Sequence, residues 1–208
     1  MSNGKSYLMV CGGILAVCYV VAKVPDTSAP NSGATVQTAA YSQPVPAKPS
    51  LDSLMPDSQR AFMNAVRKGQ EAYKAGQNDM AKGASRPMRA RELCSTLRSG
   101  RADGWVGTVY SLSSNGDGKG VLTINLGNDI YVKTWNNAIS DISDHTLIEP
   151  DTQLFSKASA LREKQAVAFS GSFSKDSTDC FRESSMTISG SMREPEFIMR
   201  FSQVGDIN

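Results

Sequence analysis

At Gly100 the hydrophobic period of the chain changes from that of a helix to that of a strand, and this change limits the fold more than any other feature. Upstream, Phe62, Val66, Gly69 and Tyr73 recur at steps of three and four, which lays one apolar stripe along a helix, with Met80 and Ala84 continuing it. Pro56, Asp57 and Ser58 suit the start of that helix, and Pro87 is expected to break or kink it near Ser85. A second, shorter helix then runs from about Met88 to Leu97, with Leu93, Cys94 and Leu97 facing inward and Gly100 ending it. The expectation is one long and one short helix over residues 54–101.

Beyond Gly100 the alternation is that of strands. "GWVGTVYSL" places Trp105, Gly107, Val109 and Ser111 on one side and Val106, Thr108, Tyr110 and Leu112 on the other. "GVLTINL" and "IYVKTW" read as the second and third strands, residues 151–162 return to a short helical pattern, and "AVAFSGSF" and "EFIMRFSQV" read as strands four and five. "SMTISGS" reads as an extension of the fifth strand across a bend. Phe197, Met199 and Phe201 alternate with Ile198 and Arg200, so that strand is apolar on both faces and expected to be central or covered. Three strands, a helix and two more strands over residues 102–208 describe a small five-stranded barrel, so the fold class is α+β.

The amino-terminal quarter has a different character. Residues 6–22 carry no charge, with Lys5 before them and Lys23 after. A run of that length is at the lower limit for a spanning helix and slightly long for the core of a signal peptide. Residues 1–24 are therefore read as a membrane anchor, with cleavage after Val20-Val21-Ala22 as the alternative. A lipid-anchored form fits less well, since both Cys11 and Cys18 follow a valine. Residues 25–53 hold Pro25, Pro30, Pro44, Pro46 and Pro49 among Ser, Ala and Thr, and cannot bury enough apolar surface to offset the entropy of ordering. They are read as a flexible linker.

Export agrees with the cysteines. Outside the apolar run only Cys94 and Cys180 remain, and two cysteines in an oxidising compartment most simply form one disulfide. Arg182 and Glu183 would then make a fixed polar corner beside it. Charge also divides at the change of period. From Ser58 to Arg101 there are ten Lys or Arg against three Asp or Glu, and from Ala102 onward nine against fourteen. A basic helical segment can attract phosphates or anionic lipid, or it can pack against the acidic barrel of the same chain.

Enzymatic constellations are hard to find. "SSNGDGKG" (residues 113–120) has the glycines of a phosphate cradle but Gly118-Lys119-Gly120 in place of Gly-Lys-Ser/Thr, and a strand follows where a helix is required. As a calcium loop it fails because Lys119 and Leu126 occupy ligand positions. It is read as a turn between strands. His145 is the only histidine, no Gly-x-Ser-x-Gly elbow accompanies it, and Asp141 and Asp144 in "SDISDH" suit turns and helix caps better than acid–base work. No catalytic residue, metal ligand or cofactor is assigned.

The strand and helix order resembles the OB-fold superfamily, and is most similar to its tRNA-anticodon-binding-like group, over about residues 103–204. "TWNNAISDISD" and "EPEFIMRF" resemble stretches of membrane-anchored bacterial envelope and prophage-associated proteins, a resemblance that brings no activity with it. In an OB barrel strands two and three and the loop after strand one form the usual ligand groove. Tyr131, Lys133 and Trp135 alternate onto one face there, an aromatic–cation–aromatic row suited to stacking on bases or sugars. Asn136 continues the row, and Lys119 would stand on the loop beside it. Trp135 could equally plug the barrel end.

The expectation is a non-enzymatic binding protein, single-pass in the bacterial inner membrane with its carboxy-terminal domain in the periplasm, or secreted there after signal cleavage. It would recognise an envelope protein, a peptide or a glycan. The alternative is a nucleic-acid-binding OB domain acting in DNA uptake, conjugation or phage entry.

Overall fold

The computed structural model describes residues 50–207. The apolar run 6–22 and the Pro-rich stretch as far as residue 49 lie outside the described residues. Among the described residues no helix is long and apolar enough to cross a membrane.

Three helices open the described chain. Ser50 caps α1 (Leu51–Leu54) by accepting a hydrogen bond from the Ser53 amide, so the last residues of the stretch read as linker are helical. Pro56, extended and with no amide to satisfy, precedes α2 (Asp57–Ala75), which stops at Gly76. Asn78 then caps α3 (Asp79–Thr96) with its side-chain oxygen on the Ala81 amide at 3.0 Å. The expected long and short helices are thus two of nearly equal length, and the break falls at residues 76–78 instead of at Pro87. Pro87 sits inside α3 on its exposed side, where the carbonyl that loses its partner can turn to water. Because α3 starts a new phase, Met80 and Ala84 do not continue the α2 stripe; Met80 is 88% exposed. Cys94, expected to face inward with Leu93 and Leu97, lies at the exposed edge of that face.

The strands follow the expected order. β1 (Arg101–Ser114), β2 (Gly120–Gly127) and β3 (Ile130–Lys133) form an antiparallel meander. Asn128 and Asp129, both at positive φ, make the two-residue turn from β2 to β3. The short helices α4 (Ala138–Asp141) and α5 (Gln153–Ser159) fill the connection to β4 (Ala166–Phe173). A small hairpin of β5 (Lys175–Asp176) and β6 (Cys180–Phe181) comes next, then α6 (Ile188–Arg193) and β7 (Glu196–Asp206). The five long strands close in the order β1-β2-β3-β7-β4, with β3 and β7 parallel and the other pairs antiparallel. This closed mixed barrel in an α+β chain is compatible with an OB-like fold.

Two local readings are corrected. Residues 185–191, read as extended strand, include the start of α6, because the Thr187 hydroxyl accepts the Gly190 amide and nucleates a helical turn. In β1 the register shifts between Val109 and Ser111, so Tyr110 is an extra, bulged residue. After the bulge the faces exchange, and Leu112, not Ser111, packs against the core.

One hydrophobic core serves the helices and the barrel together. Phe62 on α2 lies 5.1 Å, ring centre to ring centre, from each of Trp105, Phe173 and Phe197. Gln59, one turn earlier and fully buried, donates to the Val106 carbonyl at 2.6 Å and accepts the Val106 amide at 2.8 Å. Its side-chain amide thereby satisfies β1 backbone groups as a neighbouring strand would. Helices α2 and α3 pack tightly, since a Cβ at Gly69 would stand 2.8 Å from the Arg89 stem.

The basic helical segment does pack in part against acidic groups of the barrel region. Arg86 forks onto Asp179, with Nε at 2.7 Å from Oδ1, and this pairing raises its pKa. Arg89 pairs with Glu183, and Cys94 is joined to Cys180 with their Cα atoms 5.5 Å apart. The helix α3 is thus held to β6 by a covalent bond and to the residues flanking β6 by two ion pairs.

Candidate functional site

The outward face of β3 presents the row expected from its alternation. Ile130, Val132 and Thr134 point inward and are buried, leaving Tyr131, Lys133 and Trp135 half-buried on the other side. Tyr131 lies opposite Asn125 on β2 and beside Glu196 on β7. The bulge in β1 brings Tyr110 over the same face, with its ring centre 5.0 Å from that of Tyr131 in an edge-on arrangement. Burial, followed by the nearby Asp129 carboxylate, pushes the Tyr131 phenol up, so it stays a neutral hydrogen-bonding group. Tyr110 is 58% exposed, the most open aromatic surface on this face.

Along this face Lys133 and Arg182 are already paired, while Lys164, which lines the same concavity as Tyr110, makes no ion pair among the described residues. Lys133 Nζ is 2.9 Å from Glu196 Oε2, which also accepts the Ser184 hydroxyl. Burial pushes the Glu196 carboxyl up, but the Ser184 and Lys133 contacts outweigh it and hold the group below its usual range. Further along, Asp144 Oδ2 accepts the Trp135 indole N–H at 2.8 Å and Arg182 Nη1 at 3.0 Å. A continuous polar strip therefore joins β3 to the segment after β6, and its charges balance.

The remaining expected residues stand apart from the tyrosine pair. Asn136 is exposed and accepts from Asn137, whose own side chain caps α4. Lys119 ends the turn between β1 and β2, and its ammonium lies 2.6 Å from Glu149, which raises its pKa. Within that turn Asn115 Oδ1 accepts the amides of Asp117 and Lys119, and Gly118 takes positive φ, so "SSNGDGKG" is built as a turn. Asp141 is spent on the Thr146 amide and hydroxyl and on the Leu147 amide, an internal clamp for the loop carrying His145.

No protein-family model matches the chain, and no curated protein matches it. Among the described residues no three metal-ligating side chains cluster. Glu196, Ser184, Asp144 and Arg182 were missed as members of this face because each reaches β3 from a distant stretch of chain. Tyr110 was missed because a bulge is not visible in alternation. Its one sequence signal was an aromatic among smaller residues on the β1 side.

Proposed function

We propose that the protein is an exported, membrane-tethered and non-enzymatic binding protein of the bacterial envelope. Its OB-like barrel recognises an uncharged ligand, a glycan or a peptide, on the outer face of β1, β2 and β3. The uncharged run at residues 6–22, the Pro-rich stretch after it and the single disulfide support export and tethering. The observation that carries the ligand class is the exposed Tyr110 ring set against Tyr131, on a strip whose Lys133 and Arg182 are already neutralised by Glu196 and Asp144. Open aromatic surface next to a charge-balanced strip suits a sugar ring or peptide, whereas a nucleic-acid groove needs a row of unpaired cations along it and this face offers Lys164 alone.

The test is co-sedimentation of the full-length chain, in detergent micelles, with purified cell-wall glycan. Wild type is expected to sediment with the glycan, insensitive to salt, and Tyr110→Ala to weaken binding by about tenfold or more. Binding instead to single-stranded oligonucleotides that collapses with added salt would replace this reading with the nucleic-acid one. A carboxy-terminal domain shielded from protease in spheroplasts would overturn the export.

A further inference from the structure

Away from the barrel face, a cleft of about 430 Å³ opens between α2, α3 and α6. Its walls are Gln70, Tyr73 and Lys74 from α2, Lys82 from α3, and Met192 and Arg193 from α6. Three cations from three separate helices thus meet around one concavity that no carboxylate lines. Elsewhere in the helical segment Arg60, Arg67, Lys68, Arg86, Arg89 and Arg101 each have an acidic partner, and Arg91 and Arg98, which have none, stand singly on the exposed side of the chain. Lys74, Lys82 and Arg193 make no ion pair among the described residues.

Helix position accounts for two of these cations but not for the third. Lys74 lies in the last turn of α2, where the helix dipole favours a cation. Arg193 likewise ends α6, but Lys82 lies in the first turn of α3, where the dipole disfavours a cation. Like charges gathered in a concavity repel one another, and a low-dielectric wall concentrates their field on whatever enters. The walls are also fixed in advance. Gln70 donates to the Arg193 carbonyl at 2.9 Å and Arg89 to the Ser191 carbonyl at 2.6 Å, so α6 is pinned to both long helices. Met192 is completely buried beneath it, and the Lys82 stem packs so closely on Gly76 that a Cβ there would stand 2.7 Å away.

We propose that this cleft binds a phosphoryl anion. Two ammonium groups and a guanidinium supply the charge for a dianion, and the Tyr73 hydroxyl in the lining adds a neutral donor, while the Gln70 amide is spent on the Arg193 and Asn128 carbonyls and serves to fix the wall. The group could come from a soluble phosphate ester or from a phospholipid headgroup, which share this chemistry. The site is independent of the tyrosine face and of the ligand proposed for it.

The experiment uses the full-length chain in phosphatidylcholine nanodiscs, titrated with inorganic phosphate and with glycerol phosphate. A second arm replaces part of the phosphatidylcholine with phosphatidylglycerol and follows the Arg193 side-chain NMR signal. Saturable binding that weakens with salt is expected in at least one arm, and the arm identifies the source. Lys82→Gln and Arg193→Gln should each weaken it by about tenfold, the loss expected for one charge-assisted hydrogen bond. Arg91→Gln with Arg98→Gln, which remove two cations outside the cleft, should leave it unchanged. Without ligand, the Lys74→Gln, Lys82→Gln double variant should melt no lower than wild type, because repulsion is relieved. No saturation in either arm, equal loss in the Arg91 and Arg98 control, or a lowered melting temperature in the double variant would each overturn the proposal.

Discussion

Arg89 on α3 and Glu183 after β6 are paired inside the protein, with their side chains 0% and 3% exposed. Arg89 Nη1 also donates to the Ser191 carbonyl, and its guanidinium lies 5.7 Å from the centre of the Phe197 ring. Two buried charges cost several kcal/mol each to desolvate, and their attraction offsets this only while both are present. Arg89→Met should therefore destabilise the protein by about 3–5 kcal/mol, by stranding Glu183. Adding Glu183→Leu should recover much of that loss. Urea denaturation of the two variants checks this, and a double variant no better than the single would show that the pair is not the unit.

Acid–base titration of the same corner gives stability a pH dependence of definite sign. Burial, opposed by Arg89, pushes the Glu183 carboxyl up to about 7 from an ordinary 4.5. A group raised on folding contributes stability that is complete below its unfolded value and lost as pH climbs through its folded one. Stability should thus decline between about pH 4.5 and 7, by on the order of 3 kcal/mol. Asp176 acts in the opposite sense. The Asp179 and Thr178 amides hold it below its ordinary 3.8, so its contribution is lost only at more acid pH. Urea midpoints across this range should show the decline, and Glu183→Gln should flatten the upper part alone.

The disulfide between Cys94 and Cys180 spans 86 residues and joins α3 to a two-residue strand with little pairing of its own. Closing so long a loop is worth about 4 kcal/mol in the chain-entropy account. Reduction, or Cys94→Ala with Cys180→Ala, should lower stability by about that amount. Hydrogen exchange should speed up first at Cys180 and Phe181, before the barrel strands. Uniform acceleration along β1 and β7 would mean that the bond supports the whole core directly.

How far the sequence determined this architecture depends on the range of the interactions involved. "AVAFSGSF" marks the bounds of β4 because alternation is a property of adjacent residues. The cysteine pairing was legible because only two cysteines remained to pair. Pro87 misled because its cost depends on which side of α3 it occupies, and that is set by the packing of Ser85, Arg89 and Leu93. The outward row of β3 was readable up to Lys133, but its neutralisation was not. Glu196 arrives through the parallel pairing of β3 with β7, a contact between stretches more than 60 residues apart. Nothing local to either stretch announces it.

Asp144 decides where Trp135 sits, and that can be read optically. The carboxylate accepts both the indole N–H and Arg182, so removing it leaves two donors that must find water. Asp144→Ala should destabilise the protein by about 1–3 kcal/mol and shift part of the tryptophan emission to the red. The part that shifts belongs to Trp135, because Trp105 is completely buried, with its own N–H on Ser58. Asp144→Asn keeps an acceptor for the indole but loses the charge facing Arg182, so it should preserve the emission while still lowering stability. If Asp144→Ala leaves the spectrum unchanged, Trp135 is held by its packing alone, and the polar strip beside the tyrosine pair does not order that end of the face.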